Sequence, residues 1–353
     1  GTICVLATII GLRSPDMSLD RVPMTSFALL VGGSVWLLTL PVLVGNVLLM
    51  WVDHRYGDGA LSAANTQFGQ VSWILGQPQL YAFVIPGLGI VADVIATLTG
   101  ARLAQRGLLL AGIGAFGILS VGAWAQPALY PEAREQVVWQ AIVLLQVLPV
   151  LLLLAGVATA FKAGRPSPKG ALGLAVVSLL LLLLGVLAGA LQAFTPLQLR
   201  ATGLDAAGQF VLIVAAGLTA AAAGLAYWAP KMTGRMPADG AAKLGALVML
   251  GGGALGGLPL VVLGFQTKFT GLADATKGLT WVSIIGTALL ALGLLLSLAG
   301  LLSASRPGAP EAAADAWGSG QTLEWEFPSP PGSAALDDLA VVRSPEPLLD
   351  QEA

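Results

Sequence analysis

Residues 172–194 read LGLAVVSLLLLLLGVLAGALQAF and contain no charged side chain. A helix of about 20 such apolar residues crosses a hydrocarbon core about 30 Å thick. Similar runs recur along most of the chain, whose 353 residues are 56% hydrophobic and 10% charged, whereas ordinary soluble domains carry about 25% charged residues. This composition excludes a soluble globular domain and predicts an all-α polytopic membrane protein.

Working outward from this run, the sequence predicts eight complete transmembrane helices. They cover 27–51, 71–98, 107–126, 137–161, 172–194, 208–229, 243–266 and 280–303. The apolar residues 2–10 have no basic flank and no small-residue cleavage site, so we interpret them as the end of one more helix and not as a signal peptide. We therefore expect the chain to begin inside a longer parent architecture, as a split gene, a fragment or a decaying gene would leave it.

The charges divide the chain into two parts and orient it. Nine of the 19 acidic residues follow Ser303, so we expect a transmembrane bundle over 1–303 and an acidic, Pro-rich tail over 304–353 that lies extended on a surface or is disordered. One set of alternate loops carries ten cations and the other set five. The ten are Arg13, Arg21, Arg102, Arg106, Lys162, Arg165, Lys169, Lys231, Arg235 and Lys243. The positive-inside rule places these loops and the tail in the cytoplasm.

Few side chains offer chemistry. The single cysteine, Cys4, excludes an internal disulfide or a multi-thiolate metal centre. The only histidine, His54, falls in a predicted polar loop, where a structural or surface role is favoured. Asp93 is the one clear carboxylate inside a span, so it is either a proton relay or a structural carboxylate that faces the bundle or a partner. The net charge of -2 gives no basic patch for nucleic acid.

Five strings together resemble subunit I of the haem–copper cytochrome c oxidases, from the end of that family's fourth helix through its twelfth. They are Leu12–Met17 with Arg21 and Pro23; Pro41–Leu43 with Asp53, Arg55 and Gly57; Trp73–Tyr81; Tyr227–Arg235; and the tail strings Trp317–Gly318, Thr322–Trp325 and Pro328–Pro331. The resemblance implies a bacterial multi-pass protein of the inner membrane and of respiratory electron transport. It also implies a site with two haems and copper held by histidines.

The sequence departs from that family at the positions that carry its chemistry. Gln77 takes the place of a copper-ligand histidine, and Gln79 that of the proton-channel glutamate. The other replacements are Gln126 and Pro127 for a histidine pair, Gly208 and Phe210 for two axial histidines, Arg200 and Ala201 for a histidine–aspartate pair, Thr270 and Gly271 for an arginine pair, and Leu151 for a channel lysine. Tyr81 keeps the place of the cross-linked tyrosine, but Gln77 cannot form the cross-link.

Methionine is an alternative axial ligand for haem, but the six methionines fall in loops or near span ends by these assignments: Met17, Met24, Met50, Met232, Met236 and Met249. We therefore assign no catalytic, cofactor-binding or metal residue and expect no bound cofactor. Phe210, Pro127, Ala201 and Leu151 are expected to fill the interior that a lost cofactor would leave.

The favoured interpretation is a redox-inactive, structural relative of oxidase subunit I. Its partners would be the lipid bilayer and other cytochrome c oxidase-type subunits or respiratory complexes. Two alternatives stay open. The chain is a part of a catalytic oxidase that reduces oxygen and pumps protons, or it is a small-solute carrier whose polar path is lined by Gln77, Gln79 and Gln126.

Overall fold

The computed structural model describes residues 1–14, 16–57, 78–120, 137–193, 203–264, 272–332 and 342–351. Eleven α-helices lie within these ranges: α1 Thr2–Gly11, α2 Met24–Tyr56, α3 Pro78–Thr99, α4 Arg106–Ser120, α5 Val137–Leu145, α6 Val147–Ala163, α7 Gly170–Ala193, α8 Leu204–Thr233, α9 Asp239–Leu263, α10 Leu272–Leu302 and α11 Pro347–Gln351. The described ranges hold no β-strand, only an isolated antiparallel bridge between Arg235 and Glu311.

Seven stretches of helix among the described residues are long and apolar enough to cross a membrane. They are α2, α3, α5 with α6, α7, α8, α9 and α10, which agrees with a polytopic membrane protein. The predicted span 107–126 corresponds to α4, whose 15 residues are fewer than a full crossing requires, and residues 121–126 lie outside the described ranges. The count of eight spans therefore stays a prediction. The apolar residues 2–10 lie in the ten-residue helix α1; that they are the end of a longer helix stays a prediction.

The predicted helix at 137–161 is interrupted at Gln146, where α5 ends and α6 begins. Pro149 explains the break, because its ring nitrogen cannot donate to the carbonyl of Leu145 four residues earlier. Gln146 is buried and donates its side-chain amide to the carbonyl of Leu119 in α4 at 3.2 Å. The interruption therefore provides a polar link to the neighbouring helix.

Small residues bring the long helices into close contact, as their abundance in the spans predicts. A methyl group at Gly256 of α9 would lie 3.2 Å from the Thr287 hydroxyl of α10, and one at Gly293 of α10 would lie 2.6 Å from Cγ of Met249 in α9. Met249 is fully buried in the middle of α9, so its expected place near a span end was wrong. The real α9 begins earlier than the predicted span, which moves Met249 inward.

The end of the bundle where α3, α8 and α10 finish is covered by the C-terminal tail, and we call this end the tail side. Ser303–Ser305 forms one turn of 3₁₀ helix, and Leu323–Trp325 forms another. Ser319 donates its hydroxyl to the carbonyl of Thr97 at 2.7 Å, and Gln321 donates to the carbonyl of Ala96 at 2.9 Å. The described part of the tail therefore lies on a surface of the bundle, which is the first of the two expected arrangements.

Candidate functional site

Gln79 lies in the first turn of α3 with its side chain buried inside the bundle. Its amide nitrogen donates to the hydroxyl of Thr39 in α2 at 2.6 Å, and Thr39 in turn donates to the carbonyl of Val35 at 2.8 Å. The side-chain oxygen of Gln79 meets no donor among the described residues. Gln79 therefore joins α2 to α3, and Gln77 and Gln126 lie outside the described residues.

Tyr81 belongs to a second polar group, which joins three helices. Its hydroxyl, fully buried, accepts a hydrogen bond from the side-chain amide of Gln209 in α8 at 3.0 Å. The oxygen of Gln209 accepts from the amide of Gln192 in α7 at 3.2 Å. We did not identify Gln209 from the sequence. It could have been identified, because Gln209 is a polar residue inside an apolar run, between Gly208 and Phe210.

Gly208 has no space for a side chain. A methyl group there would lie 2.6 Å from the carbonyl oxygen of Gly257 and 2.7 Å from the backbone nitrogen of Val261, both in α9. These distances are well inside van der Waals contact with backbone atoms that cannot move aside. The position is therefore a helix–helix contact between α8 and α9.

Phe210 and Leu151 do not fill the interior, so that expectation was wrong for both. Phe210 is 44% exposed and Leu151 46% exposed, because each lies on the outer face of its helix. An alignment without gaps fixes a position along a helix but not the face on which it lies. Pro127 and Ala201 lie outside the described residues, as do Arg200, Thr270 and Gly271.

His54 is exposed in the last turn of α2, so it lies in a helix and not in the expected loop. Among the described residues, no three His, Cys, Asp or Glu side chains come together as a metal site requires. The polar groups around Gln79 and Tyr81 are instead amides and hydroxyls, which exchange hydrogen bonds but have no acid–base activity near neutral pH.

Asp93 accepts two hydrogen bonds from the start of another helix. Its Oδ1 lies 3.1 Å from the backbone nitrogen of Met24, and its Oδ2 lies 2.8 Å from that of Thr25. The first N–H groups of a helix have no partner within that helix, and its N-terminus attracts negative charge. Asp93 therefore caps α2, which corresponds to the structural alternative that faces the bundle.

An aromatic cluster holds the tail on the tail side. Trp325 is buried and donates its indole N–H to the hydroxyl of Tyr227 in α8 at 2.8 Å. The same hydroxyl shares a hydrogen bond with Thr97 of α3 at 2.8 Å. Trp317 stacks on the Tyr227 ring with 6.0 Å between centroids and donates to the Tyr227 carbonyl at 3.2 Å. One tyrosine thus connects α3, α8 and both tail tryptophans.

Lys231, near the end of α8, is only 6% exposed. Its ammonium donates to the carbonyls of Ala314 at 2.8 Å and Phe327 at 2.7 Å and lies 5.2 Å from the centre of the Trp325 ring. A buried ammonium requires such partners because desolvation is costly. We call residues 314–327 the tail cap.

Charged side chains fasten the last part of the tail. Arg106 donates to the carbonyls of Asp20 and Val22 and lies 3.7 Å from the carboxylate of Glu346. Arg102 pairs with Asp350. Burial raises the pKa of Glu346, and the charges of Arg106 and Arg102 oppose that rise.

The profile of the family "Cytochrome C and Quinol oxidase polypeptide I" matches residues 1–289. A putative cytochrome c oxidase subunit 1-beta from Streptomyces avermitilis is 27% identical, over 99% of this chain and 64% of that protein. Cytochrome c oxidase subunit 1 of Cereibacter sphaeroides is 25% identical, over 96% and 62%. That of Bacillus subtilis is 26% identical, over 97% and 57%. The chain thus spans about three fifths of the length of these relatives.

Proposed function

The chain belongs to the cytochrome c and quinol oxidase polypeptide I family, and from this premise we propose that it is a redox-inactive, structural member of a respiratory membrane complex. The observation that carries the proposal is Gly208, at the position of an axial histidine. Backbone atoms of α9 occupy the space that any side chain would need there. The second axial position, Phe210, faces outward.

The donor groups do not suit the family's haems and copper. Imidazole is the ligand that haem iron and copper share in such sites, and the chain has one histidine, exposed at the end of α2. Met249, the methionine deepest in a helix, is packed against Gly293 and the hydroxyl of Thr219. We therefore derive no step through haem or copper.

The proposed role is to present a helical surface and a fastened tail to other subunits in the inner membrane. The tail side carries most of the cations, which supports its placement in the cytoplasm. Large apolar side chains are exposed along α2 and α10, among them Trp36, Leu48, Ile285 and Leu295. These faces suit lipid or the helices of oxidase-type subunits.

The first test is a reduced-minus-oxidised optical spectrum with metal analysis of the purified membrane protein. The proposal expects no haem bands and substoichiometric copper and iron. Stoichiometric haem would restore the catalytic alternative. Co-purification from native membranes should then recover other respiratory subunits, and recovery of none would contradict the partner role.

The carrier alternative is less well supported, because Gln79 and Gln209 use their amides for hydrogen bonds between helices. Solute flux in proteoliposomes that is lost in Gln79→Leu would favour a carrier. Equal background flux in both proteins would exclude a path that runs through Gln79.

A further inference from the structure

A cavity of about 200 Å³ opens on the tail side, between the ends of α7, α9 and α10. Its lining includes the small buried residues Ala171, Ala226 and Ala242. The segment 236–238 and Trp317 of the tail cap also line it. The cavity is thus bounded by the bundle and by the tail cap.

Apart from the charged Lys169 and Asp239, most of the cavity lining is apolar. Ser297 contributes the one hydroxyl group, and that hydroxyl donates to the carbonyl of Gly293 in its own helix at 3.0 Å. An apolar cavity of about 150 Å³ suffices to hold a benzene-sized hydrocarbon group, and water does not fill such a space well. The cavity therefore suits a short segment of a hydrocarbon chain.

The rim carries one net positive charge. Asp239 accepts from the backbone N–H of Gly170 at 2.6 Å and pairs with Lys243 at 2.7 Å, so its carboxylate is already neutralised. Lys169 also lines the cavity, is half-buried and forms no ion pair with any residue that the structure describes. An anionic group above an apolar cavity is the complement of this arrangement.

We propose that the cavity binds an anionic phospholipid from the adjacent leaflet, with part of an acyl chain in the cavity and the phosphate on Lys169. Both the positive charge of Lys169 and the apolar lining are needed to explain this ligand. A free phosphate would contact only Lys169, and an uncharged lipid would contact only the apolar lining. A membrane protein meets this amphiphile at the depth where its helices end. Basic pockets between helix ends are a known setting for such headgroups.

The experiment is native mass spectrometry of the delipidated full chain, titrated separately with dioleoylphosphatidylglycerol and dioleoylphosphatidylcholine. The first phosphatidylglycerol should bind more tightly than the first phosphatidylcholine. Lys169→Gln should weaken the phosphatidylglycerol adduct about fivefold, the factor for loss of one cation near the surface. The matched variant Lys162→Gln removes an exposed cation outside the cavity and should change binding less than twofold.

A second variant tests the cavity itself. Ala238→Trp enlarges an exposed side chain of the lining and should reduce binding of both lipids without lowering the unfolding temperature. Equal affinity for the two lipids, or equal effects of Lys169→Gln and Lys162→Gln, would overturn the proposal. So would inorganic phosphate that stabilises the protein as much as phosphatidylglycerol does, because the site would then be an anion site only.

Discussion

Oδ2 of Asp93 lies 2.8 Å from the backbone nitrogen of Thr25, so that α3 caps α2 across 68 residues of sequence. We predict that Asp93→Ala lowers the free energy of unfolding by about 1–2 kcal/mol, as loss of a helix cap does. Thermal unfolding in detergent, followed by tryptophan fluorescence, measures the change. Asp93→Asn, which keeps one acceptor oxygen, should lose less. Equal stability of Asp93→Ala and wild type would contradict the capping role.

The hydroxyl of Tyr227 is predicted to hold the tail cap in place. Tyr227→Phe leaves the buried indole N–H of Trp325 without its acceptor, which should cost about 1–3 kcal/mol. Limited proteolysis should then cut residues 314–327 faster than in wild type. Tyr56→Phe is the matched control, since Tyr56 is 74% exposed. An unchanged cleavage rate in Tyr227→Phe would show that the aromatic stacking alone suffices.

Docking of the tail cap should weaken as the pH rises. Burial raises the pKa of Glu324 above its usual value, opposed by hydrogen bonds from Thr322 and from Trp228. The docked carboxyl therefore keeps its proton to higher pH than the undocked one. The stabilisation is complete below the usual value of 4.5 and is lost as the pH rises through the raised pKa.

Tryptophan emission recorded from pH 4.5 upward measures this dependence. Glu324→Gln should flatten the profile, whereas Glu326→Gln, which alters an exposed side chain two residues away, should leave it intact. If Glu324→Gln left the profile unchanged, the pH dependence would belong to another group. Glu346 would then be the candidate, because burial raises the pKa of its carboxyl as well.

The two arginines that face Glu346 should differ in importance. Arg106 is 14% exposed and donates to two backbone carbonyls, whereas Arg102 is 50% exposed. Arg106→Gln should therefore cost about 2 kcal/mol, because hydrogen bonds from a charged donor are lost. Arg102→Gln should cost less than about 1 kcal/mol, as exposed ion pairs do. Denaturation of both variants at low and high salt tests this order, and equal costs would refute it.

Gln79 and Gln209, whose side chains both form hydrogen bonds between helices, should respond differently to replacement by leucine. Gln79→Leu should change stability by less than about 1 kcal/mol, because one polar atom of Gln79 is already unpartnered and hydrogen bonds between membrane helices average about 0.6 kcal/mol. Gln209→Leu leaves both Tyr81 and Gln192 without their shared partner and should cost more. Thermal unfolding of the two variants, measured in parallel, gives the order of their stabilities. A greater loss of stability in Gln79→Leu than in Gln209→Leu would contradict these hydrogen-bond assignments.

Long apolar runs could be recognised in the sequence as membrane helices, and α7 differs from its predicted span by two residues or fewer at either end. The break at Gln146 was not predicted. The faces of helices could not be predicted in the same way. Phe210 and Leu151 were placed inward by counting along an alignment, yet a shift of one position turns a side chain by about 100°. Gln209, one residue from Phe210, is the side chain that does face Tyr81.

The tail shows a different limit. Trp317 and Trp325 were noted only as parts of a resemblance, although their docking depends on Tyr227, about 90 residues earlier in the chain. Nothing local in an acidic, Pro-rich segment indicates such a contact. Asp93 could be recognised as unusual because a carboxylate in a span is costly. Its partners could not be predicted, because they are the backbone N–H groups of Met24 and Thr25, and no side-chain pattern identifies such groups.

Lys231 has a consequence for the order in which the protein is made. Its two carbonyl partners, Ala314 and Phe327, emerge from the ribosome more than 80 residues after it. While the last helices are still being inserted, this ammonium has only water and lipid headgroups as partners. The bundle therefore reaches its finished form only after translation has passed Phe327, and a ribosome stalled earlier would hold a chain whose membrane helices are present but whose tail side is still uncovered.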